Sequence, residues 1–157
     1  MYKRACFVLA SFFGAGYSKA ASGTAGSAAA LVPAFACAYF GGAAALAAAA
    51  AALYVLGVFA VAEVLRHSRH DPPFVVVDEA VGQMVALLPF AGVLRGNAGA
   101  WWICAAAFVL FRLFDITKPW PASYFDEKVI SAGGVMLDDV VAGVYAAATL
   151  FFILAFV

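Results

Sequence analysis

Five stretches of the chain carry no charge: residues 5–15, 27–62, 80–94, 98–111 and 140–157. Uncharged apolar runs bounded by polar segments predict helices. The second run extends for 36 residues and is interrupted by Gly41-Gly42. A membrane-spanning helix needs about 20 residues, so this run divides at the glycines into two helices. Positions 43–52 hold nine Ala and one Leu, a strong helix former with little bulk for core packing. Arg95-Gly96-Asn97 makes a similar break between 80–94 and 98–111.

The polar segments are 16–24 (GYSKAASGT), 63–79 (EVLRHSRHDPPFVVVDE), 112–128 and 131–139 (SAGGVMLDD). Two helices lie between the first and second, two between the second and third, and none between the third and fourth. If each helix pair is a hairpin, every polar segment falls at one end of the bundle and the glycine-containing turns fall at the other. Arg66, Arg69, Arg112, Lys118 and Lys128 share the polar end, so the positive-inside tendency makes it cytoplasmic, with Arg95 the exception. A fifteen-residue helix rises about 22 Å, less than the roughly 30 Å hydrocarbon core. Some segments are therefore expected as buried core helices instead of full spans. The expected fold is one all-α domain over residues 1–157, a compact bundle of about six to seven apolar helices, membrane-embedded or integral to the membrane.

Composition supports the membrane reading. The chain is 67% hydrophobic and 11% charged, with a mean hydropathy of +1.01, whereas soluble domains are about a quarter charged. A net charge of zero gives no sign of a nucleic-acid partner. Cys6, Cys37 and Cys104 lie in apolar runs without CxxC spacing and read as reduced, buried small hydrophobes. Lys3-Arg4, the apolar ACFVLASFFGAG and Ser18-Lys19-Ala20 have the shape of a signal peptide. Because the segment that follows looks like part of a site, the preferred reading is a first helix with its basic end in the cytoplasm.

Charge returns abruptly in 111–128, FRLFDITKPWPASYFDEK. Arg112, Asp115 and Lys118, three residues apart, stay on one side of a helix that Pro119 stops at about Lys118. Alone they read equally well as a solvated salt-bridge strip. Asp78-Glu79 and Asp138-Asp139 each stand immediately before an apolar run, where capping and the helix dipole account for either pair. Gathered at one rim, Asp78, Glu79, Asp115, Asp138 and Asp139 make a stronger signal. Crowded carboxylates repel unless a cation compensates, and oxygen-only ligands favour Mg²⁺ or a similar hard ion over zinc. His67 and His70 read as loop residues. Arg112 and Lys118 would clamp an anion that also meets the metal. Ser22-Gly23-Thr24-Ala25-Gly26-Ser27, ahead of a helix, offers small residues and N–H groups to phosphate, although a plain Ser/Thr cap after a glycine turn is as common.

These residues resemble the phosphatidylglycerophosphatase A family, bacterial membrane-associated lipid phosphatases. The resemblance runs from about Gly14 to Tyr145 and is carried by VVVDEAVGQ (75–83), FRLFDITKPWP (111–121) and VMLDDVVAGVY (135–145) in the family's order and spacing. GTAGS (23–27) and Asp71 also fit. The resemblance implies Mg²⁺-dependent hydrolysis of phosphatidylglycerophosphate to phosphatidylglycerol and inorganic phosphate at the cytoplasmic face of the bacterial inner membrane. Asp71, Asp78, Glu79, Asp115, Asp138 and Asp139 would be its acidic motif residues, and Arg112, Lys118, Thr24 and Ser27 the phosphate-facing ones. Asp78, Glu79, Asp138 and Asp139 are the expected metal ligands, with Asp71 a further candidate. Asp115, Arg112, Lys118 and Asp138 are the expected catalytic set, Asp115 as base. The chain departs from the family's usual prolines at Lys19 and Ser22, and from its basic-Gly-Gly at Ile130-Ser131-Ala132; these changes fall on loop geometry and substrate grip, and the acids are retained.

The chief rival is a small membrane transporter or channel subunit using the acids as a cation site. Transport carboxylates belong within the spans, whereas nearly every charge here lies at a span end. A scaffold would have no use for clustered acids. Oligomeric state leaves no mark in the sequence.

Overall fold

The computed structural model describes residues 2–67, 72–129 and 131–156, and every regular element among them is helical. The helices are α1 (Tyr2–Ala10), α2 (Ser22–Leu65), α3 (Val77–Leu87), α4 (Ala91–Leu94), α5 (Trp101–Thr117), α6 (Ala122–Lys128) and α7 (Ala132–Ala155), with short 3-10 turns leading into or between several of them. The all-α bundle expected from the apolar runs is what forms. Asp71, a candidate ligand, and His70 lie outside the described residues.

α2 is a hairpin. Its helical geometry is interrupted at Gly42, with φ 65° and ψ −156°, a backbone region open essentially only to glycine. This break coincides with the expected division of the long apolar run. At the same end, the Gly96 N–H donates to the Tyr39 carbonyl at 3.1 Å, and a methyl added at Gly42 would lie 3.2 Å from Arg95 Cδ. Both ends of α2 reach the opposite, polar end: Gly23 packs against Glu79 and Arg112, and Leu65 lines the acidic cavity described below.

Small residues set the helix spacing. Ala34, Ala38, Leu46 and Ala50 from both arms of α2 pack with Leu87, Leu94, Phe111, Ala142 and Leu150 in one core. Lipid supplies no hydrophobic drive between helices, so close van der Waals approach takes over. α3 and α7 meet backbone to backbone. A Cβ added at Gly143 would fall on the Gly82 carbonyl, and one added at Gly82 would fall on the Asp139 carbonyl and the Phe111 ring. This contact brings the acids of α7 to those of α3.

Among the described residues, four helical segments are long and apolar enough to cross a membrane: Ser22–Leu65, Val77–Leu94, Ala98–Thr117 and Ala132–Ala155. Outward-facing Phe40, Phe59, Trp101, Ile116 and Phe152 are exposed, the arrangement of a bundle solvated by lipid. Val77–Leu94 is 18 residues long and the most enclosed of the four, in keeping with the expected core helix.

The structure corrects several sequence expectations. The first apolar run, 5–15, yields only the nine-residue α1, which rises about 13 Å and is too short to span. It ends because Phe12, Phe13 and Gly14 take left-handed φ values of 43°, 56° and 96°, with the Ser11 hydroxyl accepting the Gly14 N–H at 3.2 Å. GTAGS is the first turn of α2 instead of a loop ahead of it, since the helix starts at Ser22. The last helix starts at Ala132, not near 140, because Ser131 Oγ caps it by accepting the Gly134 N–H at 3.2 Å. Asp138 and Asp139 therefore lie inside α7, and capping does not account for them. Cys6, Cys37 and Cys104 are free.

Candidate active site

α3 supplies Asp78 and Glu79 in its first turn, and α7 supplies Asp138 and Asp139. One carboxylate oxygen each from Asp78, Glu79 and Asp139 lie within 4.8 Å of one another. Asp78, Asp138 and Asp139 are buried. The two acid pairs share a local device. Asp78 Oδ1 accepts the Glu79 N–H at 3.0 Å, and Asp138 Oδ1 accepts the Asp139 N–H at 2.9 Å. Each bond turns one oxygen of the first acid back to the helix and fixes the carboxylate. Asp138 stands outside the triad, its second oxygen 2.8 Å from Lys118 Nζ.

α5 adds the basic groups. Arg112 pairs with Asp115 one turn later, and at 17% and 11% side-chain exposure this is no solvated surface strip. Lys118 leaves the strip altogether. As the C-terminal cap of α5 it adopts φ 40° and ψ 59°, left-handed geometry that ends the helix ahead of Pro119. Its Nζ lies 2.5 Å from Asp126 Oδ1 on α6 and 2.8 Å from Asp138 Oδ2 on α7. Burial pulls the lysine pKa down, but the hydrogen bonds and charges of Asp126 and Asp138 outweigh it and hold the ammonium above lysine's ordinary range. Lys118 is charged at any physiological pH.

Asp78, Glu79, Asp138, Asp139, Lys118 and Asp126 line a cavity of about 550 Å³ whose walls also include Asp115 and Glu127, whereas Arg112 stands behind the wall, beside Glu79. Among the described residues its wall carries seven carboxylates and one cation, Lys118, so a phosphate dianion meets repulsion there unless a metal intervenes. Glu79 Oε2 is buried with no hydrogen-bond partner among the described residues, a costly state for a carboxylate oxygen. An oxygen-only donor set with an unpartnered buried oxygen fits a hard divalent cation.

α2 contributes backbone more than side chain. Gly23 lies in its first turn, and a Cβ there would fall on Glu79 Oε1 and sit 3.0 Å from Arg112 Nη1. The first-turn N–H groups have no intrahelical acceptor, and the helix start at Gly23 lies against Glu79 and Arg112. Of the two expected phosphate-facing hydroxyls, Thr24 is exposed and absent from the cavity wall. Ser27 is buried, its Oγ donating to the Gly23 carbonyl at 2.8 Å. His67 Nδ1 lies 2.9 Å from the Glu63 carbonyl, away from the cavity.

Three groups gain an individual place only in the fold, though each is visible in the sequence. Asp126 is one charge among several there, and only the fold shows its hold on Lys118. Gly23 reads as one glycine of a loop. Gln83, one turn beyond Glu79, is fully buried, and neither amide atom has a partner among the described residues. Its i+4 spacing from Glu79 is the available signal.

Fold and site together define a membrane-embedded helical protein with a buried polyacidic centre, two basic side chains and a helix N-terminus at one end. The phosphatidylglycerophosphatase A family matches residues 8–154, and the chain belongs to that family. A phosphatidylglycerophosphatase A from Haemophilus influenzae is 35% identical over 145 residues, 92% of this chain and 85% of the relative. The Escherichia coli phosphatidylglycerophosphatase A is 34% identical over 147 residues, 93% of this chain and 81% of the relative. A Bacteroides thetaiotaomicron relative, provisionally named phosphatidylinositol-3-phosphatase, is 38% identical over 138 residues, 85% of this chain and 84% of the relative. No solved structure matches the chain.

Proposed function

We propose that the whole chain is one catalytic domain that hydrolyses phosphatidylglycerophosphate to phosphatidylglycerol and inorganic phosphate, with Mg²⁺, at the cytoplasmic face of the bacterial inner membrane. One observation carries the reading. Asp78, Glu79 and Asp139 converge within 4.8 Å beside Arg112 and the start of α2, a place where a divalent ion and a phosphate compensate each other. The substrate is the one for which two relatives are named.

Asp78, Glu79 and Asp139 would hold Mg²⁺. When bound there, the ion supplies Lewis acidity to a phosphoryl oxygen and lowers the pKa of water. The remaining work falls to the chain's own groups. Arg112 and the free N–H groups of the first turn of α2 hold the non-bridging phosphoryl oxygens. Lys118, kept charged by its two carboxylates, neutralises charge that accumulates on the phosphoryl group during transfer. Asp115, oriented by Arg112, orients water and accepts its proton as the new P–O bond forms. The bond to the glycerol oxygen breaks as the new one forms, and the departing oxygen takes up a proton from water at the cavity mouth, while Asp115 returns the proton it accepted to solvent. Acyl chains remain in lipid beside the apolar helices while the terminal phosphate enters the cavity.

The distribution of polarity disfavours a transporter. The buried polar side chains among the described residues are Ser11, Ser27, Asp78, Gln83, Asp138 and Asp139, all toward the acidic end. The core toward the Gly42 turn is apolar, so no polar path crosses the bundle among those residues. Lys3, Arg4, Lys19 and Arg66 gather toward the acidic end, and the positive-inside tendency supports a cytoplasmic site.

The test is phosphate release by purified protein in mixed micelles, with Mg²⁺ or EDTA, for wild type, Asp115→Asn and Asp138→Asn. Phosphatidylglycerophosphate, phosphatidylinositol 3-phosphate and phosphatidic acid serve as alternative substrates. Metal-dependent release fastest on the first, and lost in both variants, supports the reading. Absence of release from folded wild type overturns it, and preference for another phosphomonoester overturns the substrate.

A further inference from the structure

We propose that Asp126, on the short helix α6, is a positioning residue that aims Lys118 into the cavity. The inference rests on the phosphatase reading for the reaction, and on geometry alone for the contact.

A lysine ammonium has three N–H donors and a flexible four-carbon stem, so it needs external fixing before it acts as a directed charge. Two donors are taken here: one by Asp126 Oδ1 at 2.5 Å, the other by Asp138 Oδ2 at 2.8 Å. These acceptors come from different helices, α6 and α7, and Lys118 itself caps a third, α5. Three anchors fix both the backbone and the head of one side chain. The third donor is left for the cavity that Lys118, Asp126 and Asp138 all line.

The two acceptors differ in kind. Asp138 is buried, with its other oxygen tied to the Asp139 N–H, so it is rigid. Asp126 has 46% of its side chain exposed and sits on a seven-residue helix. An exposed ion pair contributes little to stability, so loss of Asp126 should leave folding nearly intact while freeing the ammonium to swing about Asp138. Such separation of stability from activity marks a positioning role.

The experiment compares wild type, Asp126→Asn, Asp126→Glu, Lys118→Met and the Asp126→Asn/Lys118→Met double variant. Two quantities are read: kcat and KM on phosphatidylglycerophosphate micelles, and affinity for inorganic phosphate by calorimetry in Mg²⁺. Asp126→Asn is expected to lower kcat and kcat/KM alike by about tenfold, as loss of an interaction made in the transition state does. It should weaken phosphate binding less, and Asp126→Glu should restore part of the rate. In the Lys118→Met background the Asp126 substitution is expected to cost nothing more, because its effect passes through the lysine. An equal penalty in both backgrounds, or wild-type kcat and phosphate affinity in Asp126→Asn, overturns the proposal. If wild type binds phosphate in this pattern yet releases none from lipid, the positioning role stands and the reaction reading falls. If wild type is active and Asp126→Asn matches it, the reaction reading stands and the positioning role falls.

Discussion

Gly23→Ala separates the site from the fold. In a helix, Ala is favoured over Gly by up to about 1 kcal/mol, so in open space the substitution should stabilise α2. Gly23 is not in open space. The new methyl would fall on Glu79 Oε1 and lie 3.0 Å from Arg112 Nη1, where ordinary contact begins at 3.4 Å. Arg112 must yield by a few tenths of an ångström, and the Glu79 carboxylate by roughly 1 Å to reach van der Waals distance. A displacement of that size at a reacting centre costs about 10²-fold in rate. Thermal unfolding in detergent should therefore change little or rise, while phosphate release falls by about two orders of magnitude. Gly92→Ala is the control, because nothing lies within 4 Å of its added methyl, and it should keep full activity. Wild-type turnover in Gly23→Ala would show that α2 does not abut Glu79 and Arg112, and the phosphate site described here would be wrong.

Further expectations concern the triad, the helix contact behind it and the lysine. Asp139→Asn removes one of three crowded carboxylates; in EDTA its unfolding midpoint should exceed that of wild type as repulsion is relieved. With Mg²⁺ present the order should reverse, and turnover should drop by about 10²–10³-fold; differential scanning fluorimetry with and without chelator checks the first part, and a lower midpoint in EDTA refutes it. Gly143→Ala drives a methyl into the Gly82 carbonyl and should cost about 1–3 kcal/mol of stability by overpacking, read by unfolding in detergent, with activity falling as α3 and α7 separate. Because the folded pKa of Lys118 is raised, its contribution is fully present below the ordinary lysine value of about 10.4 and fades only as pH climbs toward the folded value. The stability difference between wild type and Lys118→Met should thus hold constant from pH 7 to about 10, and its disappearance by about pH 9 would contradict the double carboxylate clamp.

Much of the architecture was legible because it depends on where charge is missing. The hairpin at Gly42, the stop at Lys118-Pro119 and the gathering of polar segments at one end follow from run lengths, from the free backbone of a glycine and from the restricted one of a proline. The interior of α7 was not legible in the same way. Ser131-Ala132-Gly133-Gly134 has the composition of a loop, and it is helical because Ser131 caps it and Gly134 packs against the Val129 carbonyl. That register change moves Asp138 and Asp139 from a helix end to a buried wall. Equally, Lys118 shares a helix side with Asp115 by spacing, yet a left-handed cap redirects it to partners eight and twenty residues away. Periodicity describes a regular helix, and the site sits where regularity stops. The small residues of GTAGS pointed to close backbone approach, and Gly23 makes it against Glu79 and Arg112, whereas the Thr24 and Ser27 hydroxyls implied by the family resemblance do not line the cavity.

The role proposed for Asp78, Glu79 and Asp139 is to hold the divalent ion on which hydrolysis depends. The most direct measurement is a Mn²⁺ titration followed by electron paramagnetic resonance, with phosphate release assayed on the same samples. Wild type should show tight Mn²⁺ binding that saturates in step with activity, and Asp78→Asn, Glu79→Gln and Asp139→Asn should each lose both together. Activity that persists without bound ion, or tight Mn²⁺ binding retained in all three variants, would contradict the account.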